Sequence, residues 1–225
     1  MLILSIDTSG KSGGISLAEG GSNSFRVLDS SPIAGGTFSA QLVPTLSSLL
    51  QKHGLAAKDI EGFAAASGPG SFTGLRVGLS AIKGLAEVLK KPIATVSLLE
   101  ALASLARENG QVVAALDAGR QEIFFGLYEI SDGRATLIAE RLLSQQEFLQ
   151  EIRNVRPVAV ITSDHAVAEL ASQGAGAVQE VARPGSELIA SIGIKKLLAG
   201  ETVSVEDLDA NYLRRSDAEI FSKKL

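Results

Sequence analysis

Apolar residues arrive in short blocks divided by glycine and hydroxyl clusters, and the spacing inside the blocks switches between two periods. Leu2, Ile3, Leu4 and Ile6 predict a buried strand over residues 2–6, halted by Asp7-Thr8-Ser9-Gly10. Ile15-Ser16-Leu17-Ala18 resumes after a Gly/Ser turn, which makes a hairpin with an acidic, hydroxyl-rich tip. Phe25-Arg26-Val27-Leu28 reads as a third strand. Leu42, Leu46, Leu49, Leu50 and His53 then fall at helical spacing up to Gly54, with Pro44 early enough to be tolerated. Residues 62–66 form a weak strand that feeds the loop Ser67-Gly68-Pro69-Gly70-Ser71-Phe72-Thr73-Gly74. A long helix over about 75–90, a strand at 92–96 and a helix at 98–107 follow.

The pattern starts again near Val112. Val113-Ala114-Ala115-Leu116-Asp117-Ala118-Gly119 echoes Ile3-Leu4-Ser5-Ile6-Asp7-Thr8-Ser9, and the same offset sets Leu127 and Glu129 on Leu17 and Glu19. Residues 157–163 stand where 62–67 stood, and Ser186-Glu187-Leu188-Ile189-Ala190 resembles Leu99-Glu100-Ala101-Leu102-Ala103. Two halves in the order hairpin, strand, helix, strand, helix predict a duplicated α/β fold of two βββαβα-type lobes. The expected division is 1–108 for the first lobe and 109–204 for the second, with a tail at about 205–225 packing back on the first.

Composition narrows the chemistry. The 225 residues are 45% hydrophobic and 20% charged, enough to bury a core. The net charge of −4 argues against a broad basic face of the chain's own for nucleic acid. The absence of cysteine excludes disulfides, thiolate catalysis and cysteine-held metals. The opening residues have no basic head and too short an apolar run for a signal peptide or membrane span, so the expected location is the cytoplasm. His53 and His165 show no metal-ligand spacing and read as solvated or structural.

Two features point to function. Gly68, Gly70, Ser71, Thr73 and Gly74 form a loop that runs into a helix start, a combination able to cradle a phosphate or carboxylate, although neither the Walker A nor the dinucleotide spacing is present. The other reading of the same residues is a tight strand-to-helix turn capped by Thr73. Asp7, with Thr8 and Ser9, and Asp117 end buried strands, where a carboxylate holds either a Mg²⁺-bound phosphate or its own turn. The second feature is the helix that follows. Arg76, Ser80, Lys83, Glu87 and Lys90 make one polar stripe, and the rest of the helix is uncharged over about 220°. Leu75, Leu79, Ile82, Ala86 and Leu89 suit the helix's own sheet. Val77, Gly78, Ala81, Gly84, Leu85 and Val88 suit a second partner, and so do Leu42, Leu46, Leu49 and Leu50 on the neighbouring helix.

Together, Ile6-Asp7-Thr8-Ser9, the run from Gly68 through Leu75-Arg76-Val77-Gly78, Val96-Ser97-Leu98-Leu99-Glu100-Ala101-Leu102-Ala103, Asp117-Ala118 and Tyr212-Leu213-Arg214 resemble the TsaB (YeaZ) family. The resemblance implies the actin/Hsp70/sugar-kinase-like (ASKHA) fold and a cytoplasmic, non-catalytic subunit. Such a subunit supports N6-threonylcarbamoyl modification of adenosine 37 in ANN-decoding tRNAs. It implies pairing with the catalytic paralogue TsaD, a TsaE-like ATPase in the complex, tRNA bound through the complex, and a homodimer when alone. Pairing in the family uses the first two helices of the N-terminal half, here by position those at 40–53 and 75–90. Leu42, Leu46, Leu49, Leu50, Val77, Gly78, Ala81, Leu85 and Val88 are therefore the expected interface. Asp7, Thr8, Ser9, Gly68, Gly70, Ser71, Thr73, Gly74 and Asp117 are the expected vestigial nucleotide or anion site. The paralogue holds its metal through histidines on the first of these helices, where this chain has Phe38-Ser39-Ala40-Gln41-Leu42-Val43-Pro44. No catalytic residue, metal or cofactor of its own is expected, and ATP or ADP with Mg enters only at the level of the complex. The competing readings are an ATP-dependent enzyme of the same fold, whose adenosine segment would have to be Gln173-Gly174-Ala175-Gly176, and a peptidase.

Overall fold

A computed structural model describes residues 1–22 and 24–213. The tail beyond Leu213, with Arg214 of the quoted motif, lies outside the described residues.

The first sheet is built from β1 (Leu2–Asp7), β2 (Ser12–Gly21), β3 (Ser24–Ala34), β4 (Gly62–Gly68) and β5 (Ile93–Ser97), in the order β3-β2-β1-β4-β5. β1 pairs antiparallel with β2 and parallel with β4. The third strand is much longer than the sequence pattern suggests. It carries Pro32, which an edge strand accepts because no neighbour needs its missing N–H. Side chains alternate across the sheet. Leu4, Ile6, Phe63 and Ala65 face the apolar core made with α1 (Phe38–Lys52) and α2 (Phe72–Leu89).

The second sheet repeats the plan. After α3 (Leu98–Ala103) come β6 (Gly110–Gly119), β7 (Glu122–Ser131), β8 (Arg134–Ser144), α4 (Gln145–Val155), β9 (Ala159–Thr162), α5 (His165–Ala171) and β10 (Val178–Glu180), with strand order β10-β9-β6-β7-β8. Its core joins Val113, Ala115, Phe125 and Val160 to Phe148 and Ile152 of α4 and Val167 of α5. The duplication reaches the irregularities. The β2–β3 ladder shifts register at Leu17/Ala18 and the β7–β8 ladder at Leu127/Tyr128, the same position in each repeat.

The division between units differs from the one expected at 108/109 and 204. One unit comprises Met1–Leu98 and Pro184–Ala210, and the other Leu99–Arg183 together with residues 211–213 of the described chain. The cause is α6 (Ser186–Leu198), which closes the second repeat in sequence but buries Ile189, Ala190, Gly193 and Ile194 on the outer face of the first sheet. A Cβ on Gly193 would stand 2.4 Å from that of Ala64, so only glycine permits this approach. The register is locked by buried hydroxyls. Ser5 Oγ donates to the Ser186 carbonyl at 2.7 Å, and the Ser16 and Ser186 hydroxyls share a 2.7 Å bond. In the second unit, Leu99 of α3 lies against Gly126 on the face of β7 opposite the α4–α5 core.

Candidate partner interface

The glycine loop is positioned by β4 and the first turn of α2, and Gly70 and Gly74 meet protein rather than open space. Ser71, not the expected Thr73, caps α2 by accepting from the Gly74 amide at 3.2 Å, while Ser71 N donates to the Ser9 carbonyl at 2.7 Å. Thr8 Oγ1 donates to the Gly74 carbonyl at 2.7 Å. A Cβ on Gly70 would lie 2.3 Å from Ser9 O, on Gly74 2.0 Å from Thr8 O, and on Gly78 2.4 Å from Thr8 Oγ1. Gly70, Gly74 and Gly78 thus let the start of α2 sit directly on the Thr8-Ser9 turn. Gly68, at φ 110°, turns the chain out of β4.

Asp7 is buried, and its Oδ1 accepts from Ser9 N at 2.9 Å and Ser9 Oγ at 2.5 Å. The carboxylate is holding its own turn, as Asp residues at strand ends commonly do. Asp117, in the second unit, is exposed and does the same at its Gly119 amide, 2.8 Å away. There the following turn is a two-residue one through Arg120 and Gln121, both with positive φ. A magnesium-bound nucleotide would need carboxylate, hydroxyl and glycine amides facing one opening. Asp7, Thr8, Ser9 and Gly70 are brought together but face one another, while Ser71, Thr73 and Gly74 also line a neighbouring opening whose wall holds no carboxylate. They do not fit a magnesium-bound nucleotide, because the Asp7 carboxylate is turned onto Ser9. The Gln173–Gly176 segment closes α5, with Gly174 against Ile152, where a Cβ would come within 3.0 Å of the isoleucine side chain.

Both histidines meet carboxylates at element ends. His53 ends α1 and, with Lys52, meets the Asp29 carboxylate of β3 at 3.0 and 2.6 Å. Those two hydrogen bonds pull the Asp29 pKa down to about 2. His165 starts α5 beside Glu180 and Glu169, and the hydrogen bond to Glu180 raises its pKa above the usual range.

The two helices expected to meet a partner divide sharply. Leu42, Leu46, Leu49 and Leu50 of α1 are at most 6% exposed, enclosed between the first sheet and α2. They belong to this chain's own core and are withdrawn from the expected interface. Their wide arc is wide because α1 packs on a sheet and a helix at once. Gly78 is likewise buried, under Thr8.

What stays open on α2 is the rest of the second stripe. Val77, Ala81 and Leu85 are half-buried, Val88 is 80% exposed, and a Cβ at Gly84 would meet nothing within 4 Å among the described residues outside its own turn. At 100° per residue these five fall on one face. Val43 on α1, 64% exposed, and Phe72 at the start of α2, 40% exposed with the Arg76 guanidinium 3.9 Å from its ring centroid, extend the apolar surface of these helices. Val43 sits inside the wide arc of α1, so its apolar character was visible in the sequence but its exposure was not. The sequence pattern placed Phe72 in the loop and not at the interface.

Comparison with known proteins gives one family model and a set of relatives. The family model described as TsaD, tRNA N6-adenosine threonylcarbamoyltransferase, matches residues 32–179. A Bacillus subtilis protein described as tRNA threonylcarbamoyladenosine biosynthesis protein TsaB is 31% identical, over 97% of this chain and 96% of its own. A Haemophilus influenzae protein of the same description is 26% identical over 100% and 97% of the two chains. The solved structure of YeaZ from Pseudomonas aeruginosa superposes with a TM-score of 0.74 at 27% identity, covering 93% of this chain and 100% of that one.

Proposed function

The chain belongs to the TsaB family of tRNA threonylcarbamoyladenosine biosynthesis proteins, and on that basis we propose that it is the non-catalytic subunit on which a TsaD-like threonylcarbamoyltransferase is assembled. The observation that carries the reading is the open face of α2. An exposed valine and a half-buried leucine flank a glycine inside an 18-residue helix, where nothing among the described residues occupies the space above it. Glycine there costs the isolated helix about 0.5–1 kcal/mol relative to alanine. A helix of a second protein pressed against that position supplies the reason for its absence of side chain.

The chain matches the TsaD family model over much of its length, so the two proteins share architecture and can meet through corresponding helices. The subunit acts by binding the competent conformation of its partner more tightly than the others, since a ligand shifts an equilibrium only through contacts that differ between states. It takes no cofactor of its own. ATP or ADP with Mg, a TsaE-like ATPase and the ANN-decoding tRNA join at the level of the assembled complex, in the cytoplasm. Alone, the same apolar face pairs two copies. No helix among the described residues is long and apolar enough to cross a membrane.

The test replaces Gly84 by Arg, a position with room for the side chain in the free protein. The variant is expected to fold, to stop co-purifying with the TsaD-like protein, and to fail to restore threonylcarbamoyladenosine in tRNA nucleosides of a depleted strain, read by mass spectrometry. A folded Gly84→Arg protein that still co-purifies and restores the modification refutes the assignment of this face.

A further inference from the structure

Val77 belongs both to the open face of α2 and to the wall of a cavity of about 440 Å³ in the first unit. The cavity lies among the β1–β2 turn, the Gly35-Gly36 turn before α1, and the first residues of α1 and α2. Its chemistry is one-sided. Lys11 is the only charged residue in the wall, which also includes the hydroxyl residues Ser39, Ser71 and Thr73 and the apolar residues Phe38 and Val77. Lys11, Ser39 and Thr73 are exposed, and among the described residues their side chains have no hydrogen-bond or ion-pair partner, which leaves them free to exchange water for a ligand. The lysine is held at the rim by its backbone. Gly35 N donates to the Lys11 carbonyl at 2.9 Å, and a Cβ on Gly35 would come within 2.3 Å of that oxygen. In a chain of net charge −4, a hollow with one cation, two unpartnered hydroxyls and no acid is a local reversal of sign.

We propose that this cavity receives a carboxylate side chain of the protein docked on α2, paired with Lys11 and accepting hydrogen bonds from Ser39 and Thr73. The proposal rests on the docking reading above and adds the chemistry of the partner at that site. A protein carboxylate suits the cavity better than a free anion for two reasons. Phe38 and Val77 offer apolar surface for the methylene stem of Asp or Glu. A single solvated lysine holds a free anion weakly, whereas a carboxylate already brought there by docking needs no further loss of translational freedom.

The experiment measures binding of the intact TsaD-like partner to the full chain by surface plasmon resonance at two salt concentrations, for wild type, Lys11→Glu, Lys11→Arg and Gly84→Arg. Lys11→Glu is expected to weaken binding tenfold or more and to flatten its salt dependence, with Lys11→Arg close to wild type and Gly84→Arg not binding. Lys11→Glu binding within twofold of wild type with the same salt dependence, while Gly84→Arg fails to bind, overturns the carboxylate proposal and leaves the docking face standing. Normal binding by Gly84→Arg removes the docking reading and this proposal with it. Inorganic phosphate titrated into the free chain separates the other source. Saturable binding lost in Lys11→Glu, with partner affinity unchanged, assigns the cavity to a free anion instead.

Discussion

Two glycines on α2, six residues apart, make opposite predictions when each is replaced by alanine. Gly84 has a helical backbone, no atom of the described residues beyond its own helical turn within 4 Å of the place a methyl would take, and a position inside an 18-residue helix. Alanine there recovers helix propensity without a clash, so Gly84→Ala should stabilise the free chain by about 0.5–1 kcal/mol. That gain is worth up to about 2–4 °C in melting temperature for a chain of this size. Gly78→Ala gains the same propensity but sets its methyl 2.4 Å from Thr8 Oγ1 and 3.3 Å from Ile6 Cγ2. Thr8 is buried and its hydroxyl is already bonded to the Gly74 carbonyl, so it can yield only by losing that bond. Overpacking of this kind costs about 1–3 kcal/mol, and the net effect is destabilising. The assay is differential scanning calorimetry of both variants, with partner affinity measured alongside. Gly84→Ala should melt higher and bind more weakly, because a helix seated on that Cα must move out by a methyl. A lower melting temperature for Gly84→Ala would show that the glycine serves the fold, and unchanged affinity would show that no backbone approaches it; either result refutes the reasoning.

Two further outcomes follow from the first unit alone. Ser186→Ala removes the partner of the fully buried Ser16 hydroxyl and should cost about 1–3 kcal/mol in urea denaturation, more than the same change at an exposed serine such as Ser47. Asp29 is depressed from 3.8 to about 2 in the folded chain by Lys52 and His53, so its contribution is present above the unfolded value and lost as pH falls through the folded one. The melting-temperature gap between wild type and Asp29→Asn should therefore be full at pH 5 and close between about pH 4 and pH 2; a gap independent of pH in that range would contradict the ion-pair account.

Local and periodic features were already carried by the order of residues along the chain. The apolar blocks keep their periods of two and 3.6 wherever they sit, which is why β1, β2, β4, α1 and α2 could be read directly. The duplication was legible because β1 and β6 are both buried strands that end on an Asp whose carboxylate holds the start of the next turn, although the turns themselves differ in length. The glycine loop was legible as a site of close approach, but not what approaches. Only the fold brings Ser9 and Thr8 against Gly70, Gly74 and Gly78, turning a loop that could hold phosphate into one that holds a neighbouring turn. Long-range packing settled which apolar face is hidden. Hydrophobicity is non-directional, so Leu42 and Val88 look equally available along the chain, yet one is 2% and the other 80% exposed. Packing also returned α6 to the first sheet. An apolar helix fits any apolar sheet, and the choice was made by the close contact of Gly193 with Ala64 and by three buried serines far apart in sequence.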